Sequence, residues 1–202
     1  MNEPGAKLCI GLTGRMAAGK GEAVRILEEL GFRYISLSDI VRREAALRSQ
    51  ETGARGETVS RHAMQDIGNR LRAEGGAGVL GRRVREAVEA GTEARWVIDG
   101  IRNPAEVREL RSIRGFLLIG IACSVPTILE RMRKRGRASD SVAEEELRAA
   151  LDREWGRGEP EDGQQVGPTM ALADFTVAND GTLAEFRSRL GAVLKEIGVE
   201  NA

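Results

Sequence analysis

Leu8-Cys9-Ile10-Gly11-Leu12-Thr13-Gly14-Arg15-Met16-Ala17-Ala18-Gly19-Lys20-Gly21-Glu22 is the stretch that decides the fold. An apolar run enters a glycine turn, the turn closes on Gly-Lys, and an amphipathic pattern follows. Gly14, Gly19 and Lys20 stand in register with the phosphate-cradling loop G-x-x-x-x-G-K-[ST]. Gly21 stands where that pattern has Ser or Thr. Glycines let the backbone wrap closely and aim several N–H groups at one anion. The helix that follows turns its positive dipole end to the same point, and Lys20 adds a mobile charge for the outer phosphates. A glycine turn that merely contains a lysine has no reason to lie between a strand-like and a helix-like run, as this one does.

Outward from the loop, Lys7 to Thr13 reads as a short buried parallel strand. Glu22 to Leu30 places Ala23, Ile26, Leu27 and Leu30 at helical spacing, and Gly31 stops it. Phe32 to Leu37 is a second strand, after which Ser38-Asp39 caps a helix from Ile40 to about Leu47. Gln50 to Glu57 is polar, contains two glycines, and reads as a flexible loop. Helices are expected over Thr58 to Ala73, with Val59, Ala63, Ile67 and Leu71 on one face, and over Val79 to Ala90. Arg95 to Asp99 is a strand ending in an acid, and Asn103-Pro104 opens the next helix. Then come a strand over Phe116 to Ala122, a helix over Pro126 to Met132 and a charged helix over Asp140 to Trp155. Gly156 to Pro168 reads as a loop, Asp174 to Ala178 as the last strand and Leu183 to Ile197 as the last helix. Strands alternating with helices predict a three-layer α/β fold, a doubly wound parallel sheet of about five strands. Such sheets bind ligands at the carboxyl ends of their strands, where Gly14, Asp39, Asp99 and Asn179 fall.

The 202 residues suffice for one domain with a sizeable core. Net charge is zero, so there is no electrostatic case for nucleic acid or an anionic membrane as partner. Four lysines stand against twenty-seven arginines, which leaves many bidentate phosphate donors. No apolar run approaches ~20 residues, and the first seven residues lack a signal-peptide pattern. Cys9 and Cys123 lie in strand-like runs and read as buried thiols of a reducing compartment, so a cytoplasmic protein is expected. One histidine, His62, lies among polar residues and reads as a surface group.

Several other residues carry chemistry. Trp96-Val97-Ile98-Asp99 delivers a carboxylate beside the phosphate loop, the arrangement in which an acid holds Mg²⁺ directly or through water; Asp99 as a plain turn former before Gly100 is the competing reading. Asp39 and Arg42 are one helical turn apart after the second strand. Asp39 either caps its helix or serves the metal shell or an acceptor proton, and Arg42 can grip an acceptor phosphate. Arg102 follows Asp99 closely. Arg131, Arg133, Arg135 and Arg137 form a basic run, either a solvated helix end or a source of charge for a transition state. Glu22 at a helix start is either favoured by the dipole or available to a hard cation.

Taken together, Gly14-x-x-x-x-Gly19-Lys20-Gly21, Ser38-Asp39-Ile40-Val41-Arg42, Asp99-Gly100-Ile101-Arg102 and Arg131-Met132-Arg133-Lys134-Arg135-Gly136-Arg137 resemble the P-loop nucleotide-kinase superfamily. In adenylate kinases the loop ends Gly-Lys-Gly-Thr, so against that pattern Gly21 is the expected glycine and Glu22 is the substitution. The opening Ile-Gly-Leu-Thr-Gly and the closing Val177-Ala178-Asn179-Asp180-Gly181-Thr182-Leu183 look more like dephospho-CoA kinase. The nearest likeness, over about residues 7 to 198, is to an archaeal-type family of dephospho-CoA-kinase-like and nucleoside-monophosphate-kinase-like ATP-binding P-loop proteins of the AAA type. The acceptor segment of dephospho-CoA kinases after the third strand is absent, and Asn103-Pro104-Ala105-Glu106 stands there instead.

The resemblance implies one P-loop kinase domain over 1–202, with an acceptor-binding insert over about 39–92 and a lid over about 134–168. It implies ATP and Mg²⁺ as cofactors and a small-molecule nucleotide as substrate, with dephospho-CoA as an alternative acceptor. Gly14, Arg15, Met16, Ala17, Ala18, Gly19, Lys20, Gly21 and Glu22, with Arg133 and Asn179, would hold ATP. Arg42, Arg102 and Asp39 would hold the acceptor, Asp99 and Glu22 the metal, and Lys20, Asp39, Asp99 and Arg137 would carry the catalytic roles. The rival class is a non-catalytic or hydrolytic nucleotide switch, for which the missing hydroxyl ligand is the best support. No Asn-Lys-x-Asp base motif of GTPases appears.

Overall fold

A computed structural model describes residues 7–51, 61–135 and 144–199. Five strands, β1 (Leu8–Thr13), β2 (Arg33–Ser36), β3 (Arg95–Asp99), β4 (Phe116–Ala122) and β5 (Phe175–Ala178), form one parallel sheet in the order β2-β3-β1-β4-β5. The phosphate-loop strand is therefore central, with the acid-bearing β3 beside it; Gly11 pairs with Ile98 and Ser36 with Asp99.

Alternation along each strand builds the two cores. Cys9, Trp96, Ile98, Phe116 and Leu118 face one side of the sheet, and Ile10, Leu12, Val97, Ile119 and Ile121 face the other. The first side is covered by α2 (Leu37–Glu51), α3 (Arg61–Gly75), α4 (Val79–Ala90) and α5 (Pro104–Leu110), which contribute Leu37, Val41, Leu71, Val84, Val107 and Leu110. The second is covered by α1 (Lys20–Glu29) and α9 (Leu183–Glu196) through Ala23, Leu27, Phe186 and Leu190. Strands buried on both faces are continuously apolar because neither face meets water. A third, smaller cluster joins α6 (Val125–Arg135) to α7 (Glu144–Trp155) through Ile128, Leu129, Met132, Leu147 and Leu151, with Met16 and Ala17 of the phosphate loop packed against it.

Local signals set most boundaries. Asn103 caps α5 by accepting the Ala105 N–H at 2.8 Å, and the Glu106 carboxylate returns to the Asn103 N–H at 3.0 Å, a reciprocal capping box with Pro104 in the first turn. Thr182 and Glu185 do the same for α9. Two expectations are corrected. Helix α2 begins at Leu37, not Ile40, because Ser36 Oγ accepts the Ser38 N–H at 3.1 Å and turns the chain three residues earlier; Asp39 thus lies inside the first turn. It also runs on to Glu51, past the expected end near Leu47. The segment after Gly156 is not all loop: α8 (Val166–Met170) forms there with Val166 and Thr169 fully buried, and Thr169 Oγ1 donates to the Gln165 carbonyl at 2.7 Å. The expected starts at Thr58 and Asp140, residues 52–57 of the expected loop, and Arg137 lie outside the described residues. Among the described residues, no helix is long and apolar enough to cross a membrane.

Candidate active site

The loop after β1 has the backbone that its glycines imply. Gly14 has φ +139° and Gly19 φ +111°, and a Cβ on either would collide, with the Ile121 carbonyl at Gly14 and with the Asn179 amide at Gly19. Ala17, at φ +57°, is the one non-glycine residue with positive φ among the described residues. Such strain recurs where a backbone must aim its groups at a ligand. Helix α1 starts at Lys20 with Gly19 as its cap and no side chain bonded across the cap, so its first-turn amides face the loop's hollow. Lys20 Nζ donates to the carbonyls of Gly14 at 2.6 Å and Arg15 at 2.8 Å, folded back over the loop. Burial holds the Lys20 ammonium below the ordinary lysine range. The carboxylates of Glu154 and Asp99 act against that shift, and Arg102 reinforces it.

The neighbouring strand ends lock to the loop. Thr13 Oγ1 donates to the Ile101 carbonyl at 2.9 Å, fixing the loop's root to the turn after Asp99. Asp99 Oδ1 accepts the Gly100 N–H at 2.7 Å, so it does act as a turn former while lying close enough to influence Lys20. Asn179 Nδ2 donates to the Ala18 carbonyl at 2.7 Å, and its Oδ1 accepts from Arg131 Nη2 at 3.2 Å. Asn179 is thereby a clamp on the loop, itself held by the first arginine of the basic run.

A residue that sequence reasoning missed sits at the mouth of the loop. Glu154, near the end of α7, is fully buried, and its Oε2 accepts the Met16 N–H at 2.7 Å. Its Oε1 lies 3.6 Å from Arg102 Nη1 and has no hydrogen-bond partner among the described residues. Next to it, Trp155 carries the Arg15 guanidinium over its ring at 4.1 Å. A carboxylate on a phosphate-loop amide occupies the kind of donor that the loop offers to anions. The signal was present: Leu147, Ala150, Leu151 and Glu154 form one buried helical stripe, so an acid stood at an apolar position.

Beside the loop lies a cavity of about 200 Å³ between α2, α3 and the turn after β3. Arg42 and Arg102 both line it, together with Gln65 and Gln164. Arg102 thus faces the cavity on one side and Glu154 on the other. Its turn is rigid: Glu106, fully buried, accepts the Arg102 N–H at 2.8 Å and pairs with Arg72 at 2.8 Å, which ties α3 to α5. A fully desolvated ion pair of this kind is kept only with good geometry and further hydrogen bonds, which the capping box supplies.

The other expected residues are placed as follows. Asp39 pairs with Arg42 at 2.7 Å, both exposed. Glu22 is engaged by Arg25 at 2.6 Å and by Arg187 of α9 at 3.0 Å, and the hydrogen bond from Arg25 is the main cause of its lowered pKa. Arg133 is exposed and paired with Glu144. Both thiols are pushed up to about 11, chiefly by burial, and stay protonated near neutral pH.

Among the described residues no group of three or more His, Cys, Asp or Glu side chains gathers as a metal site. Mg²⁺ keeps its waters and takes one or two carboxylates together with phosphates, and Asp99, whose charge acts on Lys20, is the carboxylate that would serve it. Glu22, already held by two guanidiniums, fits that role poorly.

A parallel β2-β3-β1-β4-β5 sheet with a G-x-x-x-x-G-K loop after its central strand defines a P-loop α/β protein of kinase-like fold. The AAA domain family matches residues 10–152. A UPF0200 protein of Methanoculleus marisnigri is 35% identical over 190 residues, spanning 94% of this chain and 96% of that protein. The chain belongs to the UPF0200 family. Its fold is similar to that of shikimate kinase from Bacteroides thetaiotaomicron, with a TM-score of 0.56 at 15% identity over 94% of this chain and 98% of that one. Dephospho-CoA kinase from Campylobacter jejuni gives a TM-score of 0.51 at 18% identity over 95% and 97% of the two chains.

Proposed function

We propose that this protein transfers the terminal phosphoryl group of ATP to a nucleotide or nucleotide-like acceptor. The observation that carries the reading is the adjacency of two sites joined by Arg102: the phosphate loop with Lys20 and Asp99, and the cavity lined by Arg42 and Arg102. A second arginine-lined cavity beside the loop favours transfer to an acceptor over hydrolysis or sensing alone.

In this reading the loop amides of residues 14–21 and Lys20 bind the donor phosphates and orient them in line with the acceptor. Mg²⁺, held on the protein side by Asp99, supplies neutralisation of phosphate charge. Arg102 faces both sites and counters charge that develops between them. Arg42 holds the acceptor's own phosphate, and Asp39, bonded to it, fixes the orientation of its fork. An acceptor phosphate oxygen then forms the new P–O bond as the bond to ADP breaks. Residues about 39–92 act as the acceptor insert and about 134–168 as the lid. Arg153 of α7 already reaches Asp66 of α3 at 2.7 Å across the two.

The test is ADP release from ATP and Mg²⁺ with and without nucleoside monophosphates, deoxynucleoside monophosphates, dephospho-CoA or shikimate. Stimulation by an acceptor supports transfer. Release at the same rate with every acceptor as with none identifies the hydrolytic switch instead, a reading favoured by the absence of a hydroxyl ligand after Lys20, where Gly21 and the ion-paired Glu22 stand.

A further inference from the structure

The cavity beside the loop contains an unanswered polar group. Gln65, on α3, is 3% exposed, and neither its Oε1 nor its Nε2 has a hydrogen-bond partner among the described residues. A carboxamide offers one acceptor and two donors on a single rigid plane. Buried and unbonded, such a group is rare in folded proteins and calls for a partner from beyond the described residues. Gln65 lines the cavity.

The rest of the lining limits what that partner can be. Leu37, Val41, Met64 and Leu80 form apolar walls, and Arg42 and Arg102 supply the charge. Leu37 and Leu80 are each 1% exposed, so these walls are set firmly in the core. The cavity, at about 200 Å³, is smaller than the ~300–1,000 Å³ of sites for drug-sized molecules. It therefore holds one ring system and not an extended cofactor. A polyol would press hydroxyls against the four apolar side chains. A heteroaromatic ring instead turns apolar faces to the walls and presents its polar edge in its own plane. Every nucleobase carries a hydrogen-bond donor next to an acceptor on that edge, the pattern that a glutamine carboxamide matches with two bonds at once.

We infer that this cavity is a nucleobase site in which Gln65 reads the base edge, with Arg42 and Arg102 on the phosphate of the same ligand. The inference rests on the phosphotransfer reading for the role of that ligand as acceptor, and it narrows the acceptor to a nucleoside monophosphate. The same residue gives a stability signature. Gln65 without a ligand is a buried, unbonded amide, so a side chain of similar length without polar hydrogen-bonding groups stabilises the free protein while removing base recognition. A glutamine with a purely structural role has the opposite signature.

The experiment measures equilibrium binding of ATP, AMP, GMP, CMP, UMP, ribose 5-phosphate and shikimate to the full chain by calorimetry, together with the thermal midpoint of the ligand-free protein, for the natural sequence and for Gln65→Met. At least one nucleoside monophosphate binds about 10-fold or more tighter than ribose 5-phosphate and shikimate, because a site that hydrogen-bonds a base edge rejects ligands without it. Gln65→Met brings that preference to within about 3-fold and raises the midpoint. Should Gln65→Met not fold, Gln65→Asn withdraws the amide by one methylene, keeps its polarity and loses the same preference. Ribose 5-phosphate or shikimate binding as tightly as every monophosphate overturns the inference. So does an undiminished base preference in the variant, or ATP binding with no monophosphate bound. Failure of ATP itself to bind counts against the phosphotransfer reading, and base-selective binding in that case leaves the Gln65 site standing alone.

Discussion

Glu154→Gln tests how the phosphate loop is kept in the ligand-free protein. Glu154 Oε2 accepts the Met16 N–H at 2.7 Å, and the residue is fully buried. A phosphate oxygen drawn to the same N–H must displace that carboxylate, since one N–H at this distance serves one acceptor. Hydrogen bonds to a charged group are worth about 1.5–3 kcal/mol net and neutral ones about 0.5–1.5. Glutamine keeps the shape and the accepting oxygen but removes the charge, so displacement is easier by about 1–2 kcal/mol and ATP binds about 5- to 30-fold tighter. The opposing effect is small: Arg102, 3.6 Å from the other oxygen, is one-quarter exposed, and solvent takes over part of its pairing. The assay is calorimetric titration of ATP, with inorganic tripolyphosphate as a probe of the phosphate part alone, into both proteins at equal ionic strength. Unchanged or weaker ATP and tripolyphosphate affinity in a normally folded variant would falsify the competition.

Four other outcomes are expected. Burial depresses Lys20, so the unfolded chain holds more protons than the folded one between the two pKa values; its cost to stability relaxes as pH rises through that window, and phosphates push the pKa back up. ATP binding between the two pKa values therefore takes up a proton, seen as a buffer-dependent binding enthalpy, and an enthalpy independent of buffer ionisation counts against the account. Arg72→Met strands the fully buried Glu106 carboxylate and costs about 3–5 kcal/mol in denaturant unfolding; a loss under 1 kcal/mol means the pair is not the tie between α3 and α5. Gly19→Ala meets both a φ of +111° and the Asn179 amide, costs about 1–3 kcal/mol and abolishes nucleotide binding; an ordinary ATP affinity in that variant contradicts the loop geometry. Arg42→Ala raises the KM for the acceptor well above any change in the KM for ATP, and equal effects on both remove Arg42 from the acceptor site.

The sheet was legible because its signals are local and mutually consistent. β1, β3 and β4 are apolar on both faces, and Asn103-Pro104 carries its cap in adjacent residues. The phosphate loop was legible for the same reason, since its glycines and lysine act through backbone within nine residues. What stayed hidden depends on neighbours distant in sequence. The start of α2 turned on one Ser36 hydroxyl, and α8 forms in a Gly- and Pro-bearing stretch because its Val166 and Thr169 are buried by other elements. On α3 the apolar periodicity picked out Ala63, Ile67 and Leu71, yet the fully buried side includes Gln65, Gly68 and Arg72. Periodicity weighs residues by hydrophobicity and so looks past a buried face made polar by a cavity. Glu154 was lost in a helix that reads as charged, although its spacing from Leu147 and Leu151 sets it on the inward stripe. Glu22 shows the reverse: at the loop's edge in sequence it looked available to a metal, and Arg187, 165 residues away, claims it.

The central claim is that the loop with Lys20 and Asp99 hands a phosphoryl group to a ligand in the neighbouring cavity. Single-turnover transfer from ATP labelled in its γ-phosphate measures it most directly. With Mg²⁺ and the monophosphate that binds best, the label appears in a nucleoside diphosphate made from that acceptor, and Lys20→Ala abolishes its appearance. Label released only as inorganic phosphate, at a rate that the acceptor leaves unchanged, contradicts the claim.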